Sequence, residues 1–181
     1  MADVTRQRGF TIIELIAVMI IAAILLVIAA PSFNDFMSKR RVEGVFQELI
    51  TDLQLARSES VSRNRVVRVT FGTACYVVHD SSPGTSTACT QTTETIDSDD
   101  VKIKTVQLAS NSNVTLTPQS ALTYVEFDPV RGTATWSGSG TAAEVDTGSL
   151  AGSWQLRAVA TAAGRVRTCS PNASVEGFEA C

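Results

Sequence analysis

From Phe10 to Pro31 the chain reads FTIIELIAVMIIAAILLVIAAP, an apolar run whose only ionisable side chain is Glu14. Its length matches the ~20 residues that a helix needs to cross the hydrocarbon core of a bilayer. Arg6 and Arg8 stand before it and Lys39, Arg40 and Arg41 after it, so the flanking charges set no orientation. A secretory signal peptide would have a shorter apolar region ending in a small-residue cleavage site. Ala29 and Ala30 are small, but Pro31 is awkward there and the run is too long. A plain membrane anchor leaves Glu14 unexplained. Burying a carboxylate costs about 2.5–3.5 kcal/mol on insertion scales, so this one asks for a partner.

The residues around that glutamate, R-G-F-T-I-I-E from Arg8 to Glu14, resemble the processing site of type IV prepilins and type II secretion pseudopilins. The resemblance implies cleavage between Gly9 and Phe10 by a prepilin peptidase, then N-methylation of Phe10. It implies that Glu14 pairs with the terminal amine of a neighbouring subunit. Cleavage creates a cation inside the bilayer, and Glu14 is an anion able to neutralise it. Residues 1–9 would then be a removed leader, and 10–62 the N-terminal helix, with 10–31 its membrane-spanning and filament-core part. Residues 63–181 would form a β-rich head. Loss of Asp3, Arg6 and Arg8 with the leader takes the formal net charge from −3 to −4. Pro31 lacks a backbone donor and crowds the preceding turn, so a kink is expected there. In pilins the matching proline marks where the helix bends or melts on assembly.

Beyond Pro31 the pattern turns amphipathic. Val42, Val45, Phe46, Leu49, Leu53 and Ala56 recur at helical spacing, with Arg41, Glu43, Glu48, Asp52 and Arg57 opposite. The helix is expected to end between Ser62 and Asn64. Alternation then shifts to period two, with Val67, Val69 and Phe71 on one face. Further strands are expected at 76–78, 101–108, 114–116, 124–127, 133–136, 154–160 and 165–169. Residues 80–100 and 137–152 read as loops, the first acidic and solvated. It lacks the spacing of an EF-hand.

Two more strings narrow the family. L-Q-L-A-R-S-E-S-V-S-R-N-R-V-V-R-V, Leu53 to Val69, resembles the helix-to-strand junction of the GspH/FimT/FimU group. F-D-P-V-R-G-T-A-T, Phe127 to Thr135, resembles a hairpin of the same group. The implied fold is α+β and type IV pilin-like, a long N-terminal helix packed on a head of two antiparallel β-sheets. The implied location is the inner membrane, single-pass with the head in the periplasm, and a type IV pilus at the cell surface.

Composition bounds the chemistry. With 44% hydrophobic and 18% charged residues and a net charge of −3, neither a disordered chain nor a globally basic nucleic-acid binder fits. The single histidine, His79, argues against a histidine metal centre or a Ser–His–Asp triad, and is expected at the surface. No catalytic residue, metal, cofactor or small-molecule substrate is expected. Four cysteines permit two disulfides. In an oxidising compartment the local pairs Cys75–Cys89 and Cys169–Cys181 are preferred, since each brackets a polar loop. Crossed connectivities remain open.

The sharpest local feature is Gly164-Arg165-Val166-Arg167. On an extended strand Arg165 and Arg167 would share a face, about 7 Å apart, close to the spacing of successive phosphates along one strand. Gly164 would let a ligand approach the backbone. Two arginines on a strand are by themselves an ordinary solvated face. G-R-x-R in this position, however, resembles the motif of FimT-type minor pilins, which bind DNA during natural transformation. The resemblance implies phosphate contacts from Gly164, Arg165 and Arg167, with Lys102, Lys104 and Arg157 as candidate helpers. No base-reading constellation accompanies them, so little sequence preference is expected. Trp136 and Trp154 are expected in the core rather than as stacking platforms. The competing expectation is a structural minor pilin or pseudopilin, FimU- or GspH-like. It would prime assembly or sit at the tip of a type IV pilus or type II secretion pseudopilus, its arginines facing other pilins.

Overall fold

The computed structural model describes residues 10–81 and 87–181, and at 29–32 the helical backbone but not the side chains. The leader, Gly9 in the cleavage site, and the ring of Pro31 with its expected kink therefore lie outside the described residues. The chain divides into two units, residues 1–37 and 38–181. Helix α1, Ile12–Arg63, belongs to both.

In the first unit Thr11 caps the helix. Its Oγ accepts from the Glu14 N–H at 3.3 Å, and its hydroxyl lies 3.5 Å from Glu14 Oε2. Phe10 and the large apolar side chains between Ile12 and Ile28 are exposed. Among the described residues no single helix is long and apolar enough to cross a membrane. Ile12–Ile28 taken together with Phe33–Arg63 passes that test by length and composition.

In the second unit α1 ends where Asn64 adopts φ +51° and the Arg65 N–H reaches back 3.2 Å to the Ser60 carbonyl. Eleven strands follow among the described residues: β1 (Val67–Gly72), β2 (Cys75–Asp80), β3 (Ala88–Cys89), β4 (Glu94–Thr95), β5 (Val101–Gln107), β6 (Val114–Pro118), β7 (Tyr124–Phe127), β8 (Ala134–Trp136), β9 (Ala143–Ser149), β10 (Gln155–Ala160) and β11 (Val166–Cys169). They make an antiparallel sheet in the order β5-β2-β1-β7-β8, a second in the order β11-β10-β9-β6, and the small ribbon β3-β4. One core joins the helix to both large sheets. Val42, Phe46, Leu49, Leu53 and Ala56 meet Val67, Val69 and Phe127 of the first sheet and Leu116, Val145 and Leu156 of the second. The Cys75–Cys89 and Cys169–Cys181 disulfides are both formed. The C-terminal loop returns Phe178 to an edge-on contact with Phe46, centroids 5.7 Å apart.

Four expectations need correction. Residues 137–152 are not all loop, since they supply β9, an interior strand of the second sheet. Its sequence A-E-V-D-T-G-S offers one large apolar side chain. Asp146 is buried because Arg157 and Gln155 hold its carboxylate. Residues 80–100 are not simply solvated. They include β3 and β4, and Asp80 and Asp100 are buried. His79 is fully buried, with Nε2 2.9 Å from Thr70 Oγ1 and Nδ1 2.8 Å from Asp100 Oδ2. Asp52 leaves the polar face of α1 for the interior, where it accepts from the Tyr76 hydroxyl at 2.7 Å and from Lys104. Trp136 and Trp154 are half-buried against the core.

Candidate functional site

Two hairpin turns and the end of α1 converge. In the β7–β8 turn, Asp128 Oδ1 accepts from the N–H groups of Val130 and Arg131 at 3.0 and 2.8 Å, and the Gly132 N–H donates to the Asp128 carbonyl. In the β10–β11 turn the Gly164 N–H donates to the Thr161 carbonyl at 2.8 Å, and the Thr161 N–H to the Arg165 carbonyl at 3.0 Å. The Ala134 N–H donates to the Ala162 carbonyl at 3.0 Å and so stitches the two sheets together. Gly132 and Gly164 adopt φ +62° and +71°, the region glycine tolerates best. A Cβ on Gly164 would stand 2.0 Å from the Gly132 carbonyl oxygen and 3.2 Å from Arg57 Nε. One on Gly132 would stand 3.3 Å from the same Arg57 nitrogen. The close approach expected at Gly164 is thus made by the protein's own backbone.

The junction opens into a cleft of about 640 Å³ lined by Gln54, Arg57, Ser58, Val61 and Ser62 of α1 and by Gly164, Arg165 and Val166. The helical residues follow one stripe at i, i+3, i+4, i+7 and i+8. The Ser58 and Ser62 hydroxyls donate to the Leu55 and Glu59 carbonyls at 2.9 and 3.2 Å. Among the described residues, the lining donors left free are the two guanidiniums and the Gln54 amide.

Arg167 lies elsewhere. It lines a second cleft, about 290 Å³, with Arg157, Glu144 and Glu179 on the β10–β11 face and the Cys169–Cys181 loop. Val159 pairs with Arg167 and Ala160 with Val166, and the Thr161 N–H donates to the Arg165 carbonyl, so the ladder runs on to Arg165. Arg165 and Arg167 thus stand two apart on one extended edge, Arg165 bordering the first cleft and Arg167 the second. Both are exposed, and neither has a carboxylate partner among the described residues.

The candidate helpers are committed. Lys102 and Lys104 lie on β5, at the edge of the other sheet. Lys102 Nζ is 2.5 Å from Glu94, and Lys104 Nζ is 3.0 Å from Glu48 and 2.8 Å from Asp52. Burial works against the Lys104 ammonium, but the hydrogen bonds to Asp52 and Glu48 outweigh it and its pKa is raised. Arg157 does come beside Arg167, since Val159 pairs with Arg167 and Arg157 with Cys169. Asp146 grips it in a fork at 2.6 and 2.8 Å and Glu144 adds a contact at 2.9 Å. The Asp146 bonds, working against burial, hold its pKa above the usual value. Arg57 was not among the residues singled out for binding. Its signal was the helical stripe, which by itself says nothing about Gly164.

The three sequence strings at this junction all lie within one matched segment: the family model for type II transport protein GspH matches residues 46–174. The chain belongs to the GspH family. A prokaryotic N-terminal methylation motif matches residues 4–30 of this GspH-family chain. Fimbrial protein EcpB of Eikenella corrodens is 48% identical over 44 residues, covering 24% of this chain and 28% of that protein. Two crystal structures of the type IV minor pilin FimU of Pseudomonas aeruginosa share the fold, at TM-scores of 0.56 and 0.53 and 16% identity. They cover 78% and 74% of this chain and 97% of theirs. The chain thus joins an N-terminal methylation motif to a GspH-family head and shares the fold of a type IV minor pilin.

Proposed function

We propose that this GspH-family chain is a FimT-type minor pilin that binds DNA through its backbone phosphates, with little sequence preference, for uptake in natural transformation. The observation that carries this reading is that both arginines of the motif are free of carboxylates, as are Arg57 and Arg131 among the described residues, whereas most cations of the head are not. Arg63, Arg65, Arg68, Lys102, Lys104 and Arg157 are each paired with a carboxylate. Arg165 and Arg167 of the G-R-x-R motif stand exposed and unpaired among the described residues. Guanidinium forks on phosphate oxygens release counterions, so affinity falls with salt. Two such contacts make a weak site, which several subunits in one filament would strengthen. In this reading a prepilin peptidase cuts between Gly9 and Phe10, and Phe10 is N-methylated. Glu14 meets a neighbour's terminal amine, and before assembly the chain sits once through the inner membrane with its head in the periplasm.

The test is a mobility-shift titration of the full chain in nonionic detergent with duplex DNA at several salt concentrations, beside Arg165→Gln/Arg167→Gln. Salt-sensitive binding that vanishes in the folded double variant is expected. A folded wild type that fails to bind at low salt overturns the reading.

The family description, a type II transport protein, favours a second reading in which the chain builds a pseudopilus or pilus tip. The double variant separates the two in cells. Intact pili with lost uptake mark the DNA receptor, and lost assembly marks the structural role.

A further inference from the structure

We infer that Arg57 of α1 is a phosphate-binding residue of the same DNA site, and that Arg165 works with it in one cleft. This rests on the DNA reading above. Arg57 and Arg165 line one cleft, whereas Arg167 lines another. Arg57 has no carboxylate partner among the described residues. Glu59, the single acid between Gln54 and Arg63, is held by Arg63. The cleft therefore carries two uncompensated positive charges.

Position matters as much as charge. The Arg57 side chain lies against the backbones of Gly132 and Gly164, close enough that a Cβ on either would meet Nε at 3.3 or 3.2 Å. A guanidinium placed in advance loses less freedom on binding than a mobile surface arginine. A phosphodiester offers two non-bridging oxygens, one for each fork. Val61 and Val166 supply an apolar wall beside which a sugar can lie. The strand would cross the end of α1 at Arg57 and Arg165 and meet Arg167 at a further phosphate, two residues along the β11 edge.

The test is DNA titration of the full chain in nonionic detergent at several salt concentrations, with thermal unfolding recorded for every variant. Arg57→Gln is expected to weaken binding about tenfold, as loss of a charged hydrogen bond does, and to lower the salt slope by about one. Its melting temperature should stay near wild type, and Arg57→Lys should keep the slope. Arg57→Gln and Arg165→Gln should be non-additive, while Arg165→Gln and Arg167→Gln should add. Wild-type affinity and slope in Arg57→Gln, with Arg165→Gln impaired, overturn the inference. So does equal loss of binding and melting temperature in both Arg57 variants, which marks a strut, or lost pilus assembly with DNA binding intact. A wild type that binds no DNA overturns the reading beneath it instead.

Discussion

The carbonyl oxygen of Gly132 fills the space where a side chain at Gly164 would begin, 2.0 Å from the position of its Cβ. The glycine of the G-R-V-R string is therefore required by the fold, independently of any ligand. Gly164→Ala must adopt a left-handed φ and push the two hairpin turns apart. It is expected to cost about 3 kcal/mol or more, measured by denaturant unfolding. Because it would spoil the cleft by distortion, the arginine variants are the cleaner probes of binding.

Gly44 presents the opposite case. It sits inside α1 on an exposed face, with nothing within 4 Å of where a methyl group would stand. Gly44→Ala should stabilise the fold by about 1 kcal/mol, through helix propensity and a less flexible unfolded chain, and raise the melting temperature.

Asp52 links three elements, accepting from Tyr76 at 2.7 Å and from Lys104 at 2.8 Å. Burial first, then the Asp52 hydrogen bond, raises the Tyr76 pKa and keeps the phenol neutral. Asp52→Ala leaves a buried hydroxyl unpaired and the lysine short of one partner, and is expected to cost about 3 kcal/mol. Tyr76→Phe removes only the donor and should cost about 1 kcal/mol. Equal losses in chemical denaturation would contradict this ordering.

His79 should give the head a pH dependence near neutrality. Burial lowers its pKa below the ordinary 6.5, against the opposing pull of Asp100 and the hydrogen bond at Asp80, while Arg68 adds to the lowering. The folded state holds it neutral and the unfolded state protonates it first. Its contribution is therefore complete above pH 6.5 and is lost as pH falls through the depressed value, at most about 1.4 kcal/mol per pH unit. As His79 is the only histidine, His79→Gln should flatten the stability profile below about pH 6.5.

Periodicity made much of the head legible. Val42, Phe46, Leu49, Leu53 and Ala56 announce the buried stripe of α1, and Val67, Val69 and Phe71 the inner face of β1. What escaped depends on partners distant in the chain. Asp146 lies in a stretch that reads as loop and Asp52 on the polar face of α1, until Arg157, or Tyr76 and Lys104, are seen beside them. His79 read as a surface residue because its partners Thr70 and Asp100 give no local signal. At the candidate site both arginines were visible. The cleft that Arg165 shares with Arg57 was not, because only the fold brings α1 against the turn at Gly164.

The C-terminal clasp has a consequence for crowding. Strand β11 is the outermost of its sheet, and an open edge is a template for another chain. The returning tail occupies the end of that edge. The Ser170 N–H donates to the Glu179 carbonyl at 2.8 Å, the Cys181 N–H donates back to Ser170, and the Cys169–Cys181 bond holds the tail in place. A reduced head would enter a filament, where neighbours sit at very high local concentration, with a sticky border. In the proposed filament, oxidation before packing would keep each subunit a separate tile, able to stack without fusing its sheet to the next.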